Sequence, residues 1–127
     1  MAGYSRTYQA EALANIRSKS LEIALYVDDP TSASIGTEVT GGAYARPAIT
    51  FGSPVDVGDG TEISNNGNVI FPQATTDWAS GAAITHYEIR EVGGGAVFYG
   101  PFDFSRVIRT GDFFRVDAGN ITLKEAD

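Results

Sequence analysis

The chain has no cysteine, one histidine, one tryptophan and one methionine in 127 residues. The missing cysteine excludes disulfide frameworks, thiolate metal sites and cysteine nucleophiles together. It also fits assembly in a reducing cytoplasm, because small extracellular domains often lean on disulfides. A single histidine, His86, leaves any serine triad with one base, and neither Ser80 nor Ser105 sits in the Gly-x-Ser-x-Gly turn that presents a nucleophile. Basic residues are scarce: nine against sixteen acidic ones, a net charge of -7 and a pI near 4.5. No basic stripe with interleaved aromatics offsets this, so a nucleic-acid partner is not expected. No apolar run approaches the roughly 20 residues of a membrane helix, and Met1 to Ser20 carries neither a basic apolar signal nor a cleavage pattern. These absences leave an acidic, non-enzymatic domain with no expected cofactor.

What is present suits one domain. At 43% hydrophobic residues the chain can build a core, and a fold of this length buries roughly two-thirds of its unfolded-chain surface. Arg6 to Lys19 is the one helical candidate: Leu13 and Ile16 form a narrow apolar seam, and Ser5 is placed to cap the start. The thin stripe suits a helix laid across the end of a sandwich or an arm reaching a neighbour, so residues 1–20 read as an N-terminal arm and 21–127 as the domain. From Leu21 the period switches to two. Leu21, Ile23, Leu25 and Val27 alternate with Glu22, Ala24 and Tyr26, as in a strand with one buried face, until Asp28-Asp29-Pro30 ends it. Thr31 to Thr40 reads as an exposed loop.

Further strand candidates are Tyr44–Phe51, Glu62–Ser64, Asn68–Phe71, Ala83–Glu91, Ala96–Pro101, Ser105–Ile108, Phe113–Asp117 and Asn120–Leu123. Asn66-Gly67 and the glycines at 93–95 are hairpin signals, since these residues tolerate positive φ. Short strands with such punctuation predict an all-β, antiparallel sandwich, jelly-roll-like, with one short N-terminal helix.

Few constellations resemble chemistry. His86 reads as a structural or surface histidine, because general-base work needs an oriented partner. Asp56 to Glu62 brings three carboxylates near two glycines but lacks the spacing of a calcium loop; it reads as a solvated acidic turn, the alternative being a calcium ion at a subunit contact. The aromatics sit mostly at alternating strand positions, as core residues do. Adjacent pairs are different: Phe98-Tyr99 and Phe113-Phe114 must each send one ring outward, and outward aromatics on a small sandwich suggest an interface. In the strand Tyr44–Phe51, with Ala45, Pro47, Ile49 and Phe51 on the core face, Tyr44 and Arg46 share the other face and become interface candidates.

The block from Gly36 to Phe51, with Gly41-Gly42-Ala43-Tyr44-Ala45-Arg46 at its centre, carries more than its chemistry. Read in order with the Asp29-Pro30 strand end, Ile70-Phe71-Pro72, Trp78, Ile84-Thr85-His86, Phe98-Tyr99-Gly100, Gly111-Asp112 and Ala118-Gly119-Asn120-Ile121-Thr122-Leu123, it resembles small virion structural proteins of tailed bacteriophages, often labelled tail fibre or head fibre. The resemblance implies a virion location and no catalytic residues. The chain has no heptads, collagen-like period or β-helix period to build a shaft. A compact acidic sandwich better resembles a capsid decoration, or cement, protein that binds the major capsid protein of an assembled head as a homotrimer. On that reading residues 1–20 serve as the clamp, with Leu13 and Ile16 at contacts between chains or with the shell. The alternative is a tail-fibre or receptor-binding module contacting tail proteins and a host glycan.

Overall fold

The computed structural model describes residues 5–31 and 36–126, the last without its side chain; part of the expected arm (1–4) and of the expected loop (32–35) lies outside the described residues. The structure is mostly β, 38% strand and 14% helix. The helix α1 spans Arg6–Arg17, and the strands are β1 (Leu21–Tyr26), β2 (Ala48–Ile49), β3 (Val55–Asp56), β4 (Gly60–Ser64), β5 (Val69–Ile70), β6 (Ile84–Glu91), β7 (Ala96–Arg106), β8 (Arg115–Val116) and β9 (Thr122–Ala126). They form three antiparallel sheets, in the orders β2-β1-β6-β7, β3-β4-β9 and β5-β8. The division is four, three and two, where an eight-stranded jelly roll has two packed sheets.

Leu21, Ile23 and Leu25 of β1 enter a core shared with Tyr87 and Ile89 of β6, Ile63 of β4, Val69 of β5 and Val116 of β8, as period two predicts. Ala24 and Tyr26 are buried as well, so β1 is covered on both faces rather than one. Trp78, Phe71 and Phe114 are the largest side chains buried completely. A fully buried aliphatic or aromatic residue of this kind contributes about 1.5–3 kcal/mol relative to an exposed one. That sum carries the fold in the absence of staples.

Three expectations change. The first concerns the arm. Ser5 caps α1 by accepting from Tyr8 N at 3.2 Å, but the helix lies on its own sheet. Leu13 is wholly buried in the core, Ile16 packs beside it, buried Thr61 of β4 donates to buried Gln9 at 3.0 Å, and Arg17 donates to Phe51 O at 3.2 Å. The Leu13/Ile16 seam therefore belongs to the core of this chain. The second concerns Asn66-Gly67, which does not close a hairpin: β4 pairs with β3 and β9, and β5 with β8. Asn65 is buried there and acts as a hub. It donates to Gly67 O and Asp117 O, each at 3.0 Å, and accepts from Ile121 N at 2.9 Å. The third is that Ala96–Pro101 and Ser105–Ile108 merge into the single long strand β7. By contrast, the glycines at 93–95 do join β6 to β7, with Gly93 at φ 76° and Glu91 N bonded to Gly95 O at 3.0 Å.

Candidate interaction surfaces

The segment 37–49 runs back along the edge of β1 and detours midway. Ile49 and Ala48 pair with Leu21 and Glu22, Val39 N bonds Leu25 O at 2.9 Å, and Glu38 bridges to Tyr26. The detour is set by the glycine pair. A Cβ on Gly42 would stand 2.2 Å from Thr75 Oγ1, and one on Gly41 would stand 2.6 Å from Trp78 Cδ1. Only bare backbone lets Gly42 accept from the Trp78 indole at 2.9 Å while its N donates to Thr76 Oγ1 at 2.7 Å. Thus the glycines of the motif are a docking seat for Trp78.

This detour reverses the expected face at residues 44 and 45, while Ile49 and Phe51 enter the core as alternation predicts. Ala45 is exposed, whereas the Tyr44 ring points inward, edge-on to Trp78 at 5.4 Å and stacked on Phe71 at 6.2 Å. Its hydroxyl reaches through the gap in the ladder, accepting from Leu25 N at 3.0 Å and donating to Glu38 Oε2 at 2.7 Å. Arg46 clamps the same carboxylate with two bonds, Nε to Oε2 at 2.8 Å and Nη2 to Oε1 at 2.6 Å, and reaches Glu22 at 3.2 Å. Such forked pairs fix geometry as well as charge. The phase slips because residues 44–47 form no strand; only Ala48–Ile49 does.

Electrostatics follow the geometry. Burial pushes the Glu38 carboxyl up, but the hydrogen bonds from Arg46 and Tyr44 outweigh it and hold the group below the ordinary carboxylate value. Burial, reinforced by Glu38, pushes the Tyr44 hydroxyl well above the ordinary phenol value. The hydrogen bond to Glu38 likewise raises Arg46. On the same outer face, nearly inaccessible Glu88 is ion-paired with Arg90 and accepts from Tyr26 at 3.1 Å; burial, with help from Glu88, pushes the Tyr26 hydroxyl up to about 12. Tyr44 and Arg46 are consequently occupied within the chain, and the network locks the 37–49 segment onto the sheet.

The adjacent aromatic pairs divide as expected. Phe114 is fully buried while Phe113 is 51% exposed; Phe98 packs on Phe51 at 5.8 Å while Tyr99 faces out. A feature not read from sequence lies between them on β7. Across from Thr85 alone, β7 places the four residues Phe102 to Ser105, because Ile84 pairs with Arg106 and His86 with Pro101. In this bulge Phe102 and Phe104 stack at 4.9 Å, and both rings lie against Phe114, at 5.5 and 6.1 Å. They plug the edge of the sandwich with Phe104 left partly exposed. Alternation misleads here because residues two apart in a bulge need not follow the sheet's faces.

His86 sits on the outer face with Nδ1 2.8 Å from Thr85 Oγ1 and Nε2 3.7 Å from exposed Asp29. Ser105 is exposed on the edge strand, and Ser80 lies in the left-handed turn after Trp78, at φ 53°. In the acidic turn, Asp56 is ion-paired with Arg6 and Asp59 with Lys124. Among the described residues no three acidic or histidine side chains gather as metal ligands, and no helix is long and apolar enough to cross a membrane.

Comparison with curated proteins found none that matches the chain. A family model, described as "Podophage GP4 fiber I protein gp80", matches residues 8–124. That span takes in α1 from its third residue on, the glycine seat, the Tyr44–Arg46 network and the bulged edge. The match supports a virion structural role. The chain belongs to this family of phage virion fibre proteins.

Proposed function

We propose that the protein is a compact component of a podophage fibre, which associates as a homotrimer and works by binding without turning anything over. The observation that carries the reading is the family match over residues 8–124. A second observation tilts it away from the cement role expected from sequence. A cement protein was to grip neighbouring capsomers with its N-terminal helix, but α1 is committed to its own sheet through Leu13, Gln9 and Arg17. Exposed Tyr99, Phe104 and Phe113 offer the apolar contacts that a partner, tail protein or sister chain, would cover.

Particles assembled without this chain test the reading. They should retain DNA on heating as wild-type particles do and lose attachment to host cells, and labelled protein should be seen at the tail. Particles that adsorb normally but burst at lower temperature would return the protein to the head, because binding only the assembled shell stabilises it by mass action.

A further inference from the structure

Arg106 closes the bulged strand β7 and is exposed. Every other lysine or arginine among the described residues has an acidic partner or, for Arg17, a carbonyl: Arg6 with Asp56, Lys19 with Glu91, Arg46 with Glu38 and Glu22, Arg90 with Glu88, Arg109 with Asp77, Arg115 with Asp117, Lys124 with Asp59. In a chain of net charge -7, a free cation is the exception. It stands two residues from partly exposed Phe104 and three from Asp103, so the edge presents an apolar ring between a base and an acid.

This edge does not invite another strand. The four-residue bulge, Pro101 without an amide hydrogen, and charges at 103 and 106 each block continuation of the ladder. Contact must come through side chains. Arginine and phenylalanine are both enriched at protein interfaces, arginine especially at their energetic centres.

The complementary surface is on the same molecule. Across the three-stranded sheet, Val55 of β3 stands opposite Glu62 of β4, which stands opposite Lys124 of β9. Val55 is 57% exposed, and Lys124 is taken by Asp59, which leaves Glu62 without a cation. An exposed valine beside a carboxylate that lacks a cation is matched by an exposed aromatic ring beside a free arginine, as Phe104 and Arg106 supply. The two patches are different parts of the chain, so the contact is head-to-tail, the kind that closes into rings. We infer that the Phe104–Arg106 edge of one copy docks on the Val55–Glu62 face of the next. The inference rests on the proposed self-association and names its surface.

Sedimentation analysis of the full chain and of Arg106→Glu, Glu62→Arg and the double variant tests it, with circular dichroism to confirm folding. Each single reversal should raise the dissociation constant of the trimer at least about tenfold, the scale of a close charge pair lost at an interface, and the double variant should recover most of it. A wild-type chain that is monomeric throughout overturns this inference and the homotrimer, while the fibre location is judged separately by particle labelling. A trimer indifferent to Arg106→Glu overturns the surface alone. Weakening without recovery in the double variant overturns the pairing with Glu62.

Discussion

Replacing Asn65 with alanine should be among the most damaging single changes to this fold, although the residue lies outside every regular strand. Its side chain satisfies two carbonyls and one amide from three separate places, Gly67, Asp117 and Ile121. Gly67 and Asp117 are exposed, so water can replace the amide there, and each lost bond costs about 0.5–1.5 kcal/mol. Ile121 is wholly buried, and its orphaned N–H costs a further 1–3 kcal/mol or so. The total is about 2–6 kcal/mol. With roughly 2.1 cal/mol/K of unfolding entropy per residue, 3 kcal/mol lowers the melting temperature of a chain this size by about 11 °C. Calorimetry and urea denaturation at matched protein concentration measure both numbers. Asn65→Asp separates the contributions: it keeps an acceptor for Ile121 but turns a carboxylate toward two carbonyls, so its deficit should shrink as pH falls and the group protonates. A loss under about 0.5 kcal/mol in Asn65→Ala would show that the three segments hold together without the hub.

Gly42→Ala should destabilise by about 1–3 kcal/mol, the usual cost of overpacking, because its Cβ meets Thr75 Oγ1 at 2.2 Å; a shift in tryptophan fluorescence should accompany it, since Trp78 bonds Gly42 O. Leu13→Ala should cost about 2–5 kcal/mol of fold stability, measured by urea titration, where a role only in contacts between chains would leave the monomer's stability unchanged. Glu38 is depressed in the folded state, so it contributes stability fully above its unfolded pKa of about 4.3 and loses it as pH falls through its lower folded value. Stability titrations of wild type and Glu38→Gln should therefore converge toward acid and diverge toward neutral pH, and parallel curves would exclude the network as an acid-sensitive element.

How much of this was legible in the sequence varies with the physics. Strand β1 and the β6–β7 hairpin are readable because Leu21, Ile23 and Leu25 alternate toward the core and glycines mark the turn, although Ala24 and Tyr26 on the other face are buried too. The helix was readable but its destination was not: Leu13 and Ile16 announce an apolar stripe without saying whose core it enters. Strand β3, exposed at both positions, has no pattern to read. Alternation places Arg46 on the outer face, where it pairs with Glu38 and Glu22, but misplaces Tyr44, whose ring turns inward because the backbone leaves the ladder there. The bulge at Phe102 to Ser105 was missed for a related reason, as pairing register is decided across strands rather than along one. The outward ring of Phe98-Tyr99 is legible because adjacent residues on a strand cannot share a face, while Phe113-Phe114 divides the same way just before β8.

Strand β4 has a consequence for the order of events in folding. It is held on one flank by β3, a near neighbour in sequence, and on the other by β9, from the far end of the described residues, while α1 from the opposite end packs on both β4 and β9. A chain emerging from the ribosome can therefore zip β6 to β7 early, yet cannot seat its first helix fully until β9 has been made. Pairings so distant in sequence are slow, because loop closure comes before any reward in contacts. Until then Leu13 and Ile63 stay accessible, and that interval, rather than the finished fold, is where the nascent protein is most exposed to aggregation.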